Sequence, residues 1–229
     1  MRTRSQGFWK DNRGIATSLM EATLVITIAA VLSTVAVITS SDQVSDANTT
    51  QGHSEVKLMG VSILSFMQDT GYAPAYLAGN KNGPNDEVAW ILESDGSYPD
   101  DSTKTWPING AKELQSVKVD LLANHLTLNN PGNSKISYRR IGEISYARFQ
   151  GWNGPYMSKI PAADPWGDKY LVNIGFATSQ GAAAANLATG KRPAVFVISA
   201  GPNRSIDTKY FQAADEFVEG GDDEIFRIQ

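Results

Sequence analysis

The chain has no cysteine in its 229 residues. That excludes disulfide bridges, thiolate zinc sites and thiol nucleophiles, while saying little about compartment. Histidine is nearly absent too. His53 and His125 are the only two, and neither stands in H-E-x-x-H or a similar ligand spacing, so surface or packing roles suit both. No G-x-S-x-G elbow, no Walker-type glycine loop and no internal repeat occurs. Adjacent acids such as Asp100 and Asp101 are too generic to argue for acid–base catalysis. These absences point to a protein that is not an enzyme.

A different absence marks the front of the chain. From Ala22 to Ser41 there is no charge, no proline and no glycine. A helix over that run is about 30 Å long, close to the hydrocarbon thickness of a bilayer. Ahead of it, Arg2, Arg4, Lys10 and Arg13 against Asp11 make residues 1–16 net +3, which leaves −7 for the remainder of a chain whose total is −4. A basic flank before an apolar run is what the positive-inside rule asks of a cytoplasmic segment. The acidic remainder argues against nucleic acid as a partner, because phosphate neutralisation needs clustered Lys and Arg.

A plain signal anchor fits this pattern. A cleaved secretory signal fits less well, since the run is long and ends in "ITSSDQVSD" instead of an A-x-A-like site. Neither explains Glu21, which sits at the mouth of the run. A carboxylate in such a segment costs about 2.5–3.5 kcal/mol and calls for a function or a partner.

A third reading places the cut before the run. The stretch "ATSLME", Ala16 to Glu21, resembles the N-terminus of type IV prepilins and type II secretion pseudopilins. In that family a short basic leader is removed on the cytoplasmic side by a prepilin peptidase, and the fifth mature residue is Glu. Setting Glu21 fifth makes Ala16 the last leader residue and Thr17 the first mature one. The family pattern usually has Gly before the cut and Phe after it, so this pair departs from it. A cut after Gly14 would make Glu21 seventh, a second choice. The resemblance implies N-methylation of Thr17. It also implies an ion pair between the Thr17 amine of an incoming subunit and Glu21 of its neighbour, in a medium where an unpaired charge is costly.

Beyond the run, residues 42–54 are polar, poor in strong helix formers and contain Gly52, which predicts helix that frays. Val56, Met59, Ile63, Phe66 and Met67 form an amphipathic stripe, stopped by Gly71 and Pro74. Leu77 to Gly110 is rich in Gly, Pro, Asn and Asp and reads as surface loop around "EVAWIL". The acidic "DGSYPDD" within it lacks EF-hand spacing. Leu114, Val117, Leu121, Leu122 and Leu126 predict a second helix, ended by "NNPG". "KYLVNIGF" and "RPAVFVISAG" read as strands, with a connecting loop and a possible helical turn between them. The order of elements predicts α+β with an antiparallel sheet.

The resemblance sharpens in the second half. Trp152, Gly154, Pro155 and Tyr156, then Asp164, Pro165, Trp166, Gly167 and Tyr170, are similar to the W-x-G-P-Y and D-P-W-G-x-x-Y segments of major type II secretion pseudopilins. Physically these are turns locked by large rings, and a structural role is expected of them. Family members end in a Gly-rich acidic loop that in several holds calcium. The corresponding oxygen donors here are Asn203, Asp207, Asp222 and Asp223, with Gly220 and Gly221 letting the chain fold back. Asn203 stands where Asp is more usual, and the loop is longer than typical.

The resemblance therefore implies a pilin-like α+β fold, in which a long N-terminal helix packs on a small antiparallel sheet beside a second helix. The expected parts are a leader over 1–16, a transmembrane and filament-core helix over 17–41, and a periplasmic domain over 42–229. The implied function is that of a pseudopilus subunit in the bacterial inner membrane. Its partners would be further copies of itself in a helical filament, the prepilin peptidase, other pseudopilins and secretion-machine components. Calcium is the one cofactor implied. A type IV pilin or minor pilin shares this architecture, and a signal-anchored periplasmic binding domain that never polymerises remains the alternative from another class.

Overall fold

The computed structural model describes residues 13–79, 86–108, 117–134, 136–143, 150–184 and 191–229, with side chains from residue 42 onward apart from 182 and 184. Helix α1 runs Arg13–Thr70. The chain divides into two compact units, Met1–Asp46 and Ala47–Gln229. Up to residue 41 α1 is described as backbone only, so the side chains of Ala16, Thr17 and Glu21 and of the apolar run lie outside the described residues. Among the described residues no helix is long and apolar enough to cross a membrane.

In the second unit α1 buries Val56, Met59, Ile63 and Phe66 completely, with Met67 packed at the edge of the core. The predicted fraying over 42–54 is not observed, since α1 is unbroken there. From Ala47 on, tertiary contacts supply what propensity lacks. A Cβ on Gly52 would lie 3.1 Å from the Trp166 ring. Tyr170 Oη donates to Glu55, and His53 Nδ1 lies 3.2 Å from Glu224 Oε2. Gly52 is thus a packing residue and not a breaker. The helix ends as expected, with Gly71 at φ +78° just past its last residue.

The core sheet combines β1 (Ile91–Glu93), β3 (Val119–Leu121), β4 (Leu171–Val172), β5 (Phe196–Ser199) and β7 (Glu224–Arg227) in the order β3-β1-β4-β5-β7. The β1–β3 pair is parallel, with Ile91 opposite Val119, and the other three pairs are antiparallel. A second, two-stranded sheet pairs β2 (Asp100–Asp101) in parallel with β6 (Ser205–Ile206). The protein is therefore a mixed α+β fold around a five-stranded sheet.

One face of the sheet lies on α1. Phe226 of β7 covers Gly60, where any Cβ would collide with its ring, and Val197 stands opposite Phe226 in register. Alternation along β5 turns Phe196 to the other face. There Trp106 and Phe217 pack on it, with ring centroids 6.0 and 5.1 Å away.

Two expectations are corrected here. In the Leu77–Gly110 stretch β1 forms at the end of the expected element "EVAWIL", but the part beyond it is not all surface loop: it pairs as β2 and sends the fully buried Trp106 into the core. The second helix shrinks to α2, Leu122–Leu126. Its expected first half is outside the described residues over 109–116, and 119–121 is strand. The β-branched Val117 and Val119 suit extended backbone, and pairing with β1 decides the matter. The segment between the two predicted strands contains α3, Ser179–Ala184.

Candidate functional site

The C-terminal loop gathers all four oxygen-bearing residues picked from the sequence. Asn203 Nδ2 donates to Asp207 Oδ2 at 3.0 Å, and the Asn203 backbone N–H donates to Asp222 Oδ2 at 3.1 Å. Asp223 Oδ2 accepts the backbone N–H groups of Asp207 and Thr208 at 3.0 and 2.7 Å. The chain must turn tightly to do this. Gly221 has φ +54°, and a Cβ there would run into the Asp207 carboxylate.

The loop is short of donors. Among the described residues three buried side-chain oxygens have no hydrogen-bond partner, and two of them are Asp222 Oδ1 and Asp223 Oδ1. A buried carboxylate oxygen without a partner is costly. Burial pushes the Asp223 carboxyl up to about 6, against hydrogen bonds from Thr208 and Asp207 that lower it, and the Asp207 charge adds to the rise. No group of three or more His, Cys, Asp or Glu among the described residues is placed to hold a metal ion. A hard cation draws on carbonyl and amide oxygens as well as carboxylates, about six to eight in all. Here Asn203 turns its amide nitrogen to Asp207 while its Oδ1 accepts from Ser205 N–H at 2.6 Å, and backbone N–H groups meet Asp222 and Asp223, so Asp222 Oδ1 and Asp223 Oδ1 are the two carboxylate oxygens of the loop that are buried without a partner.

Sequence reasoning missed three residues of this region. Ser102 donates its hydroxyl to Asp207 Oδ1 and to the Ile206 carbonyl, the latter at 3.0 Å. Arg204 donates twice to the buried Asp168, at 2.9 and 2.8 Å. The only sequence hint of Ser102 was the acidic "DGSYPDD" ahead of it, and a pairing between β2 and β6 leaves no local signature.

The two aromatic motifs fasten loops to α1. Asp164 Oδ1 accepts the N–H groups of Trp166 and Asp168 at 3.0 and 2.8 Å, and its Oδ2 accepts the Ser199 hydroxyl at 2.6 Å. Burial raises the Asp164 carboxyl above its ordinary value in spite of these bonds. Pro165 follows it, and Gly167 takes φ +97° to close the turn. Trp166 and Tyr170 then reach Gly52 and Glu55 of α1. In the other motif the buried Trp152 donates from Nε1 to the His125 carbonyl at 3.2 Å. After the cis Gly154–Pro155 bond, Tyr156 Oη donates to Asp69 at 3.0 Å.

His125 is fully buried. Its Nε2 lies 2.8 Å from Asp120 Oδ2, and Tyr138 Oη lies 2.5 Å from its Nδ1. Asp120 also accepts from Leu121 N, Asn124 Nδ2 and Gly132 N at 2.8, 2.6 and 2.6 Å. Burial drives the imidazole below its ordinary value, while Asp120 pulls the other way. A neutral ring donating from Nε2 to Asp120 leaves Nδ1 to accept from the Tyr138 hydroxyl, whose oxygen also lies 3.3 Å from the Tyr76 carbonyl. The packing role expected of His125 is the one this geometry describes. No family model, curated protein or solved structure matches the chain.

Proposed function

We propose that the chain is a pseudopilin-like subunit, anchored in the bacterial inner membrane by α1 and polymerising through it into a type II secretion pseudopilus. The observation that carries this reading is Glu21. It lies on α1 four residues beyond Thr17, at the mouth of an uncharged run preceded by a basic flank. Removal of the leader after Ala16 creates an amine on Thr17 that neutralises the Glu21 carboxylate of a neighbouring subunit in low dielectric. The apolar run then serves first as membrane anchor and afterwards as filament core. A helix whose C-terminal half packs on a mostly antiparallel sheet is consistent with a subunit of this kind.

Calcium is the cofactor of this reading. Asp222, Asp223 and Asp207, with Asn203, would hold it in the C-terminal loop. When bound, it supplies positive charge to carboxylate oxygens that otherwise lack partners.

Mass spectrometry of the membrane-extracted protein is expected to find Thr17 as a methylated N-terminus. Glu21→Ala is expected to insert in the membrane and to stay out of filaments. An intact Met1, or a cut beyond Ser40, removes the filament reading and leaves an anchored domain. Motility or surface fibres in place of secretion as the lost phenotype would assign the chain to type IV pili.

A further inference from the structure

Two features at opposite edges of the five-stranded sheet have shapes that answer each other. The first is a hollow of about 180 Å³ beside the edge strand β3. Its walls include Leu121, Ala123, Leu128, Ile160 and Pro161, with Lys159 among them. Leu121 and Leu128 are exposed, Leu128 to 62 %, so apolar surface faces water here. A dry apolar cavity of about 150 Å³ takes a benzene ring, and this hollow has room for a branched aliphatic side chain. Of the charges lining it, Glu93 is answered by Lys169 at 2.6 Å. Lys159 and Asp95 have no ion pair among the described residues.

The second feature is Val218, the most exposed large apolar residue of those described, at 69 %. It is not a loose loop tip. The Gln212 side chain grips both of its backbone groups. Val218 N–H donates to Gln212 Oε1 at 2.9 Å, and Gln212 Nε2 donates to the Val218 carbonyl at 3.0 Å. Its neighbour Phe217 is held between the Phe196 ring, 5.1 Å away, and the Arg227 guanidinium, 5.0 Å away. The fold thus spends side-chain order on holding an aliphatic group out in water, which is unfavourable unless something covers it. Exposed Glu219 follows directly, and neither it nor Arg227 has an ion pair among the described residues. The knob therefore carries one unpaired charge of each sign, as the hollow does.

We propose that Val218 of one copy seats in the β3-side hollow of a second copy, with Glu219 against Lys159. Phe217 lies by β5 and β7, and the hollow lies by β3, at the other end of the sheet. At about 4.8 Å per strand step the two edges are roughly 20 Å apart, so a chain cannot fill its own hollow. A knob and a hollow on different surfaces make a head-to-tail contact, which leaves one of each free and propagates. One valine side chain buries far less than the roughly 1,200 Å² of a stable interface. The contact therefore sets the register of copies already gathered by α1, and in that respect it rests on the filament reading above.

The test places Val218→Cys and Leu128→Cys together in the full-length chain and treats membranes with a mild thiol oxidant. The native chain has no cysteine, so there is no background, and both positions are exposed enough to spare the fold. A disulfide needs Cα atoms within about 7 Å, so a link within one chain is excluded. The expected result is a ladder of dimers, trimers and longer linked species from the double variant, and no linked product from either single variant. Adding Lys159→Glu should lower the linked yield about two- to fivefold, and adding Glu219→Lys as well should restore it. Adding Glu21→Ala should abolish the ladder. Filaments without a ladder overturn the contact and leave the filament reading standing. Dimers from a single variant overturn the head-to-tail seating, and a yield indifferent to Lys159→Glu overturns the charge pairing. A ladder that survives Glu21→Ala overturns the filament reading and keeps the contact. Neither filaments nor linked product overturns both.

Discussion

Two acid-bearing regions of this protein are built on opposite terms. Asp120 is fully answered: its carboxylate takes four donors, from Leu121, Asn124, His125 and Gly132. In the C-terminal loop the acids outnumber the donors, and Asp222 Oδ1 and Asp223 Oδ1 are left buried and unanswered. The electrostatics diverge accordingly. Burial alone would raise Asp120, but His125, Gly132 and Asn124 hold its carboxyl below the ordinary value, whereas Asp223 is pushed up to about 6. A saturated network is complete as architecture. The unsaturated one carries an electrostatic cost that the fold leaves in place.

The largest expected effect comes from breaking the saturated side. Asp120→Ala strips four hydrogen bonds and strands a buried imidazole, and is expected to cost about 3 kcal/mol or more in chemical denaturation. A loss under about 1 kcal/mol would mean that water replaces the carboxylate and that the network is not structural.

A smaller effect is expected with pH. His125 titrates below its ordinary value of about 6.5 in the folded chain, so the unfolded chain takes up a proton first. The stability from a neutral His125 is complete above about pH 6.5, erodes as pH falls, and is gone below the folded-state value. One such proton contributes at most about 1.4 kcal/mol per pH unit. Asp223 has the opposite sign, since its penalty is present above about 6 and is relieved as the carboxyl protonates. The His125 slope is therefore best read in Asp223→Asn. There, stability between pH 6.5 and 5 should fall with acid, and His125→Asn should flatten the curve. An equally steep curve in the double variant would assign the slope elsewhere.

The smallest effect is expected from the unsaturated side without cation. Asp223→Asn keeps an oxygen for the N–H groups of Asp207 and Thr208 and removes a strained charge, so chelated protein should melt within a few degrees of wild type. Added Ca²⁺ should then raise the melting temperature of wild type and leave the variant unmoved, by the linkage of binding to folding. Equal shifts in both would place the cation away from this loop.

Much of this arrangement was readable from residues. The stripe Val56, Met59, Ile63 and Phe66 announces a buried helix face because apolar side chains recur at the helical period, and all four are buried. Gly71 announces the helix end for a local backbone reason. Asn203, Asp207, Asp222 and Asp223 could be named from a resemblance, and the chain brings them into hydrogen-bonded contact. What misled the reading was context at a distance. Gly52 looks like a breaker until Trp166 is seen over it. Val117 and Leu121 have helical spacing, and nevertheless Val119–Leu121 pairs with β1. Trp106, in a Pro- and Asp-rich stretch, looks like loop and is core.

By itself the sequence determined those features that depend on spacing along one chain: the uncharged run with Glu21 at its mouth, the buried face of α1, and the turns at Asp164–Gly167 and Gly220–Gly221. Period, charge and glycine act through near neighbours, so they survive without a fold. Tertiary structure alone decided which oxygens are satisfied. Ser102 and Asp207 are 105 residues apart, and whether a carboxylate finds a donor depends on what is folded against it.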